Sequence, residues 1–146
     1  MKIIEDSARR FIEWTKLKIR LHHEDDELLE KLYFSKREIW WTHLGQNIGF
    51  EENGKNVVFD RPVIIFRKFN QHLLWVIPTS TKIKPENRYY HTFEQKDEKF
   101  SAIISQMRPI SSKRLIRKIG KMEKDEFEKL EEAVFGLIKN DSRINK

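Results

Sequence analysis

Residues 58–69 read VFDRPVIIFRKF, and after Asn70 and Gln71 the chain continues as HLLWVI over residues 72–77. Both runs are rich in β-branched and aromatic side chains, and the Asn-Gln pair between them suits a turn, so they predict a β-hairpin. Pro62 has no backbone N–H to give, which predicts an edge or a bulge in the first strand. Pro78 is expected to end the second strand, with residues 79–82 (TSTK) as a polar corner. Outward from this hairpin, residues 38–44 (EIWWTHL) have the same strand character. Residues 45–57 (GQNIGFEENGKNV) are polar, hold three glycines and read as a loop. Residues 88–95 and 99–106 make a further strand pair around the turn Lys96-Asp97-Glu98.

Helical patterns flank the strands. In residues 5–20, Phe11, Trp14 and Leu17, followed by Leu21, recur at three- and four-residue spacing as one apolar face. Asp25 or Asp26 is expected to cap a second short helix through Tyr33, with Leu28, Leu29 and Leu32 apolar. Ser111 or Ser112 is expected to cap another through Lys118, closed by Gly120. The last helix spans 124–139, with Phe127, Leu130, Val134, Leu137 and Ile138 on one face. Helices, then five or six short antiparallel strands, then helices predict an α+β fold on a small, curled, barrel-like sheet. The 146 residues suggest a single domain. Within it, residues 1–35 form an N-terminal helical extension and residues 36–146 the barrel with its C-terminal helices.

Composition removes whole classes of function. Cysteine is absent, so there is no disulfide framework, thiolate metal site or cysteine nucleophile. No apolar run approaches the roughly 18 residues of a spanning helix, and charge begins too early for a signal peptide. A cytoplasmic protein without membrane attachment is expected. The five histidines have no metal-ligand spacing, and His22-His23 beside Glu24, Asp25 and Asp26 reads as a solvated helix end. Phosphate-binding glycine loops, dinucleotide fingerprints and nucleophile elbows are missing, so neither metal nor cofactor is expected. The formal charge is +6, and residues 37–118 hold 15 basic against 8 acidic side chains while both flanks are nearly balanced. A basic middle between neutral ends suits a polyanionic partner.

The remaining groups handle phosphate without a metal. Arg61 opens a strand directly after the flexible loop, and its planar fork holds two phosphate oxygens at once. Thr79, Ser80 and Thr81 offer hydroxyls at a neighbouring strand end beside Lys82, and Gln106 and Arg108 stand at another. If the sheet curls, these ends converge on one concave face. The plain structural alternatives are an ion pair of Arg61 with Asp60 or Glu51, and a turn at 79–81 that satisfies its own backbone. Of Trp40, Trp41, Phe66, Trp75, Tyr89 and Tyr90, strand alternation sends half into the core. The outward half is available to stack unpaired bases, at roughly 1–3 kcal/mol each.

Read together, Arg37-Glu38-Ile39-Trp40-Trp41, Gly49-Phe50-Glu51, Gly54-Lys55 and Arg61-Pro62-Val63-Ile64 resemble the opening of the MazF/PemK toxin family. Ile77-Pro78-Thr79-Ser80 resembles its next strand end. Ser105-Gln106-Met107-Arg108-Pro109-Ile110, Lys113-Arg114-Leu115 and Lys118-Ile119-Gly120 resemble its third block. The resemblance spans residues 36–139 and implies an SH3-like barrel acting as a homodimer. It implies a sequence-specific, metal-independent endoribonuclease that cuts single-stranded RNA to 2′,3′-cyclic phosphate and 5′-hydroxyl ends. It also implies a cognate antitoxin that covers the RNA groove and binds DNA together with the toxin. By position it makes Arg61 and Thr79 catalytic, with Glu51, Ser80, Lys82, Gln106 and Arg108 binding RNA or supporting. Glu51 and His43 are both open as the proton-transfer group. Three features depart from the pattern: Ser105 in a slot acidic in some members, a longer loop over 53–60, and the N-terminal extension, expected to pack on the barrel through Phe11, Trp14 and Leu17. A non-catalytic nucleic-acid-binding barrel, or a module for an acidic peptide, accounts for the same basic middle.

Overall fold

A computed structural model describes residues 1–85 and 87–140, so the end of the expected 36–146 unit, residues 141–146, lies outside the described residues. The chain begins with α1 (Lys2–His22) and α2 (Asp26–Glu30). Seven strands follow: β1 (Glu38–His43), β2 (Asp60–Lys68), β3 (Leu73–Ser80), β4 (Tyr90–Gln95), β5 (Glu98–Ile103), β6 (Arg108–Ser111) and β7 (Leu115–Lys121). Helix α3 (Lys124–Lys139) closes the order. All pairs are antiparallel along the path β4-β5-β3-β2-β1-β7, with β6 also on β3. The outer edge of β3 is shared: Leu73–Val76 pair with β6, and Thr79 and Ser80 pair with β5.

The 62–66 run PVIIF is apolar throughout because β2 is central and covered on both faces. Ile64 and Phe66 face a core shared with Ile77, Phe93 and the α3 residues Phe127, Leu130 and Val134. Val63 and Ile65 face a second core with Phe34, Trp40, Leu74, Val76 and Ile110. The β4–β5 turn uses Lys96 and Asp97 at φ 51° and 63°, the left-handed pair that a two-residue hairpin needs. Glu38 is buried between these elements. Burial pushes its carboxyl pKa up, but hydrogen bonds from Trp40, Ser35 and Lys118 outweigh that and hold it below the usual range.

Several expectations are corrected. The sheet has seven strands rather than five or six, and it is open. Among the described residues no ladder joins its end strands β4 and β7; from the turn after β4, Lys96 Nζ donates to the Ile119 carbonyl of β7 at 3.3 Å. The predicted helix over 111–118 is instead a single 3-10 turn (Ser112–Arg114) followed by β7, because β1 offers that segment a free edge. Ser111 does cap the turn, accepting from the Lys113 amide at 3.2 Å. Among the described residues α3 is therefore the one C-terminal helix past the sheet. Pro62 lies in an interior strand, but its carbonyl turns toward β3 beyond the last backbone pair, Val63 with Pro78, where no ladder donor is needed. Pro78 does not end β3, which runs on to Ser80 because β5 takes over its edge. Asp25 caps α2, accepting from the Glu27 amide at 3.0 Å, and that helix stops at Glu30, leaving Leu28 and Tyr33 exposed. Ile138 is exposed as well.

Helix α1 packs through Trp14, Leu17 and Leu21 against Phe59, in the turn that leads into β2, while Phe11 stays partly exposed. The Trp14 indole lies where a Cβ on Gly45 would come within 2.5 Å, at a backbone φ of +97°. Lys113 Nζ closes the far end of the helix on the carbonyls of His22 and Glu24, at 2.9 and 3.0 Å, a cation at a helix C-terminus. Trp14→Ala removes the largest of these anchors. It should cost about 3–5 kcal/mol of unfolding free energy, the usual range for a buried tryptophan, read by denaturant titration.

Candidate active site

The loop between β1 and β2 carries the strand-opening arginine into the body of the protein. The Lys55 amide donates to the Asp60 carbonyl and the Asp60 amide to the Lys55 carbonyl, both at 2.8 Å, which pins the loop end. The Gly54 amide donates to the Gly45 carbonyl at 2.8 Å. A Cβ on Gly54 would lie 1.7 Å from the Phe59 carbonyl oxygen, so only glycine permits this closure. The Phe59 carbonyl also accepts from the Leu44 and Gly45 amides. Phe59 itself is held at φ 54°, in the left-handed region.

Arg61 is 8 % exposed. Its Nε donates to the Asn53 carbonyl at 2.6 Å, its Nη1 to the Thr79 carbonyl at 3.0 Å, and its Nη2 meets Glu52 Oε1 at 2.6 Å. Burial lowers its pKa, and the Glu52 charge partly restores it. The partner is therefore Glu52, not Asp60 or Glu51. Thr79 is 1 % exposed, and its hydroxyl donates to the Pro62 carbonyl at 2.9 Å. The guanidinium and the hydroxyl-bearing residue thus meet on adjoining strands.

Two openings flank Arg61. One, about 270 Å³, is lined by Trp41, Asn56, Arg61, Thr79, Ser80 and Phe100 among others. The other, about 200 Å³, is lined by Glu52, Lys55, Arg61, Ser80, Lys82, Lys84, Tyr90 and Ile103. Glu52 also borders a third, about 300 Å³, containing Glu51, Ser105, Gln106 and Arg108. All seven residues singled out by sequence therefore line neighbouring openings, the first two sharing Lys55, Arg61 and Ser80 and the third bordering the second through Glu52; together these form the cleft. Gln106 braces the loop, accepting from the Glu52 amide at 3.3 Å and donating to the Phe50 carbonyl at 3.0 Å. Glu51 accepts from the Ile48 amide at 2.8 Å. Arg108 has its pKa lowered by burial and partly restored by Glu51. Arg114, pushed down to about 10 by burial and then by Arg108, donates to the His43 and Leu44 carbonyls. His43 turns its Nδ1 to the Val58 carbonyl at 2.8 Å and does not line the cleft.

Of the aromatic residues, Trp40 and Phe66 are core, Trp41 and Tyr90 line the cleft, and Trp75 and Tyr89 are partly exposed. Sequence reasoning missed Glu52, Lys55 and Lys84. Glu52 carried no signal of its own beside Glu51, Lys55 stood in the Gly54-Lys55 element without a role, and Lys84 was part of the basic excess without a position. Among the described residues, no three His, Asp or Glu side chains are grouped to hold a metal ion.

Residues 35–137 match a family described as PemK-like, MazF-like toxin of type II toxin-antitoxin system. The fold resembles a Mycobacterium tuberculosis toxin, MazF-mt6, with a TM-score of 0.54 at 17 % identity, covering 72 % of this chain and 99 % of that one. It also resembles an endoribonuclease in complex with its cognate antitoxin from a mycobacterial species, with a TM-score of 0.55 at 8 % identity, covering 73 % and 95 %. Curated proteins contain no match to the sequence.

The loop closure makes its own prediction. Gly54→Ala drives a methyl group into the Phe59 carbonyl and releases Asn53 and Glu52 from Arg61. It should cost about 1–3 kcal/mol in a thermal or denaturant melt, in line with other overpacked sites.

Proposed function

This chain belongs to the PemK-like, MazF-like toxin family of type II toxin–antitoxin systems, and from that membership we propose that it is a metal-independent endoribonuclease cleaving single-stranded RNA. The observation that carries the reading is the Arg61 guanidinium, buried against Thr79 at the floor of an open basic cleft within the matched region. Unpaired RNA enters this cleft with its scissile phosphate beside Arg61. The 2′-oxygen attacks phosphorus, the bond to the 5′-oxygen breaks, and a 2′,3′-cyclic phosphate and a 5′-hydroxyl result. A dianionic phosphorane forms on the way, and a preorganised guanidinium stabilises it more than the ground state. The phosphate displaces Glu52 from Nη2, and that carboxylate takes the 2′ proton. The leaving 5′-oxygen is protonated from solvent at the cleft mouth. The Thr79 hydroxyl, released from Pro62, holds a non-bridging oxygen, while Ser80, Lys82, Glu51, Gln106 and Arg108 position the strand. Trp41 and Tyr90 offer ring faces to its bases.

On the same reading the curled sheet serves as the family's small SH3-like barrel, residues 1–35 are an addition to that core, and the protein works in the cytoplasm as a homodimer. A cognate antitoxin neutralises it by covering the cleft and binds DNA with it. The engaged state of Arg61 favours one rival reading, a non-catalytic nucleic-acid-binding domain. Cleavage of labelled RNA in EDTA separates the two, since the rival yields salt-sensitive binding and no product.

Arg61→Ala should lose about 10²–10³-fold in kcat with an unchanged circular dichroism spectrum. Retention of full rate would remove Arg61 from the mechanism. Glu52→Gln should lose about 10²-fold or more in kcat, measured on labelled RNA, as expected of a general base.

A further inference from the structure

A groove of about 720 Å³ runs between α1 and the turn at residues 56–59, outside the Arg61 cleft. Its helical wall presents Arg9, Arg10, Lys16 and Arg20, at intervals of one, six and four residues, against the carboxylates of Asp6 and Glu13. Arg10 is structural: it donates to the Asn56 carbonyl at 2.7 Å and lies 4.0 Å over the Phe59 ring. Lys16 pairs with Glu13 at 3.0 Å. Arg9 and Arg20 are exposed and form no ion pair among the described residues. They stand eleven positions apart, about 16 Å along the helix axis.

This groove neighbours the cleft: Asn56 lines both the groove and the opening that holds Arg61 and Thr79. An RNA strand cut internally extends beyond the cleft, and this neighbouring groove is bordered by guanidinium groups, whose planar donors fit phosphate oxygens. Helix α1 lies outside the matched residues 35–137, so the feature belongs to this chain's own extension.

We propose that the α1 groove is a second RNA-binding site, in which Arg9 and Arg20 hold backbone phosphates of nucleotides flanking the cut, so that long RNA binds more tightly than a short oligonucleotide. The inference rests on the ribonuclease reading above. Phosphate contacts without base contacts would make it indifferent to sequence, leaving selectivity to the cleft.

The test compares wild type with Arg9→Glu/Arg20→Glu on two RNAs of the same target sequence: an oligonucleotide filling only the cleft, and a long unstructured RNA. For the double variant, KM on the long RNA should rise tenfold or more, with kcat and the short-substrate KM unchanged. The dependence of log KM on log salt should weaken by about 0.7 for each phosphate no longer neutralised, about 1.4 for two. Asp6→Asn/Glu13→Gln should shift KM on the long RNA the other way. Equal effects on long and short RNA, or none on either, would overturn the proposal. So would a loss confined to affinity for the antitoxin, which would make the groove a protein-docking surface. If wild type cuts neither RNA, the ribonuclease reading has failed. The groove is then judged by direct binding of the same two RNAs, where equal affinity for both, or no change in the variant, overturns it.

Discussion

A guanidinium taken out of water is costly unless every face of it is answered, and Arg61 is answered by three partners from two separate parts of the chain. The Glu52 carboxylate and the Asn53 carbonyl come from the β1–β2 loop, and the Thr79 carbonyl comes from β3. Pairing of β2 with β3 brings Thr79 alongside, but a ladder alone does not bring Glu52 or Asn53 to Arg61. The loop must fold back on itself, and the glycine contact at Gly54 together with the Lys55–Asp60 pair is what lets it do so. The burial of one charge therefore organises the whole neighbourhood.

That arrangement leans in turn on α1. Phe59 stands directly before the Asp60–Arg61 start of β2, in a left-handed conformation unfavourable for a large side chain. Its ring is held under Trp14, 5.6 Å between centroids, and beneath the guanidinium of Arg10. Removing solvent from that ring stabilises a turn the backbone alone would not choose. The helical extension thus reaches the cleft through one side chain, although it lies before the region shared with the family.

Rigid and exchangeable parts are divided along physical lines. Arg61 and Thr79 sit on strands with apolar cores on both faces. Glu52 lies on a loop, with its side chain 28 % exposed, so it can yield to a ligand without disturbing either core. A strong donor set held by strands, with its resident counter-charge on a loop, suits a site that must trade one anion for another.

Much of this was legible in the chain itself. The apolar run at 62–66, the aromatic run at 38–44 and the Lys96-Asp97 turn declare strands by local chemistry, and helix α3 declares its buried face through Phe127, Leu130 and Val134. The position of Arg61 after a glycine-bearing loop, and of Thr79 at the end of the next strand, also follows from sequence order. Residues 115–121 did not declare themselves: their partner in β1 is some 80 residues away, and the serines before them cap a single turn as readily as a helix. Sequence likewise could not choose Glu52 over Glu51, because two neighbouring carboxylates in a loop are locally equivalent. Local patterns determined which segments are strands and helices and which groups are suited to phosphate. Only the tertiary structure decided which carboxylate faces Arg61, which edge receives β7 and where α1 lies, because those depend on long-range closure and burial, which no local pattern encodes.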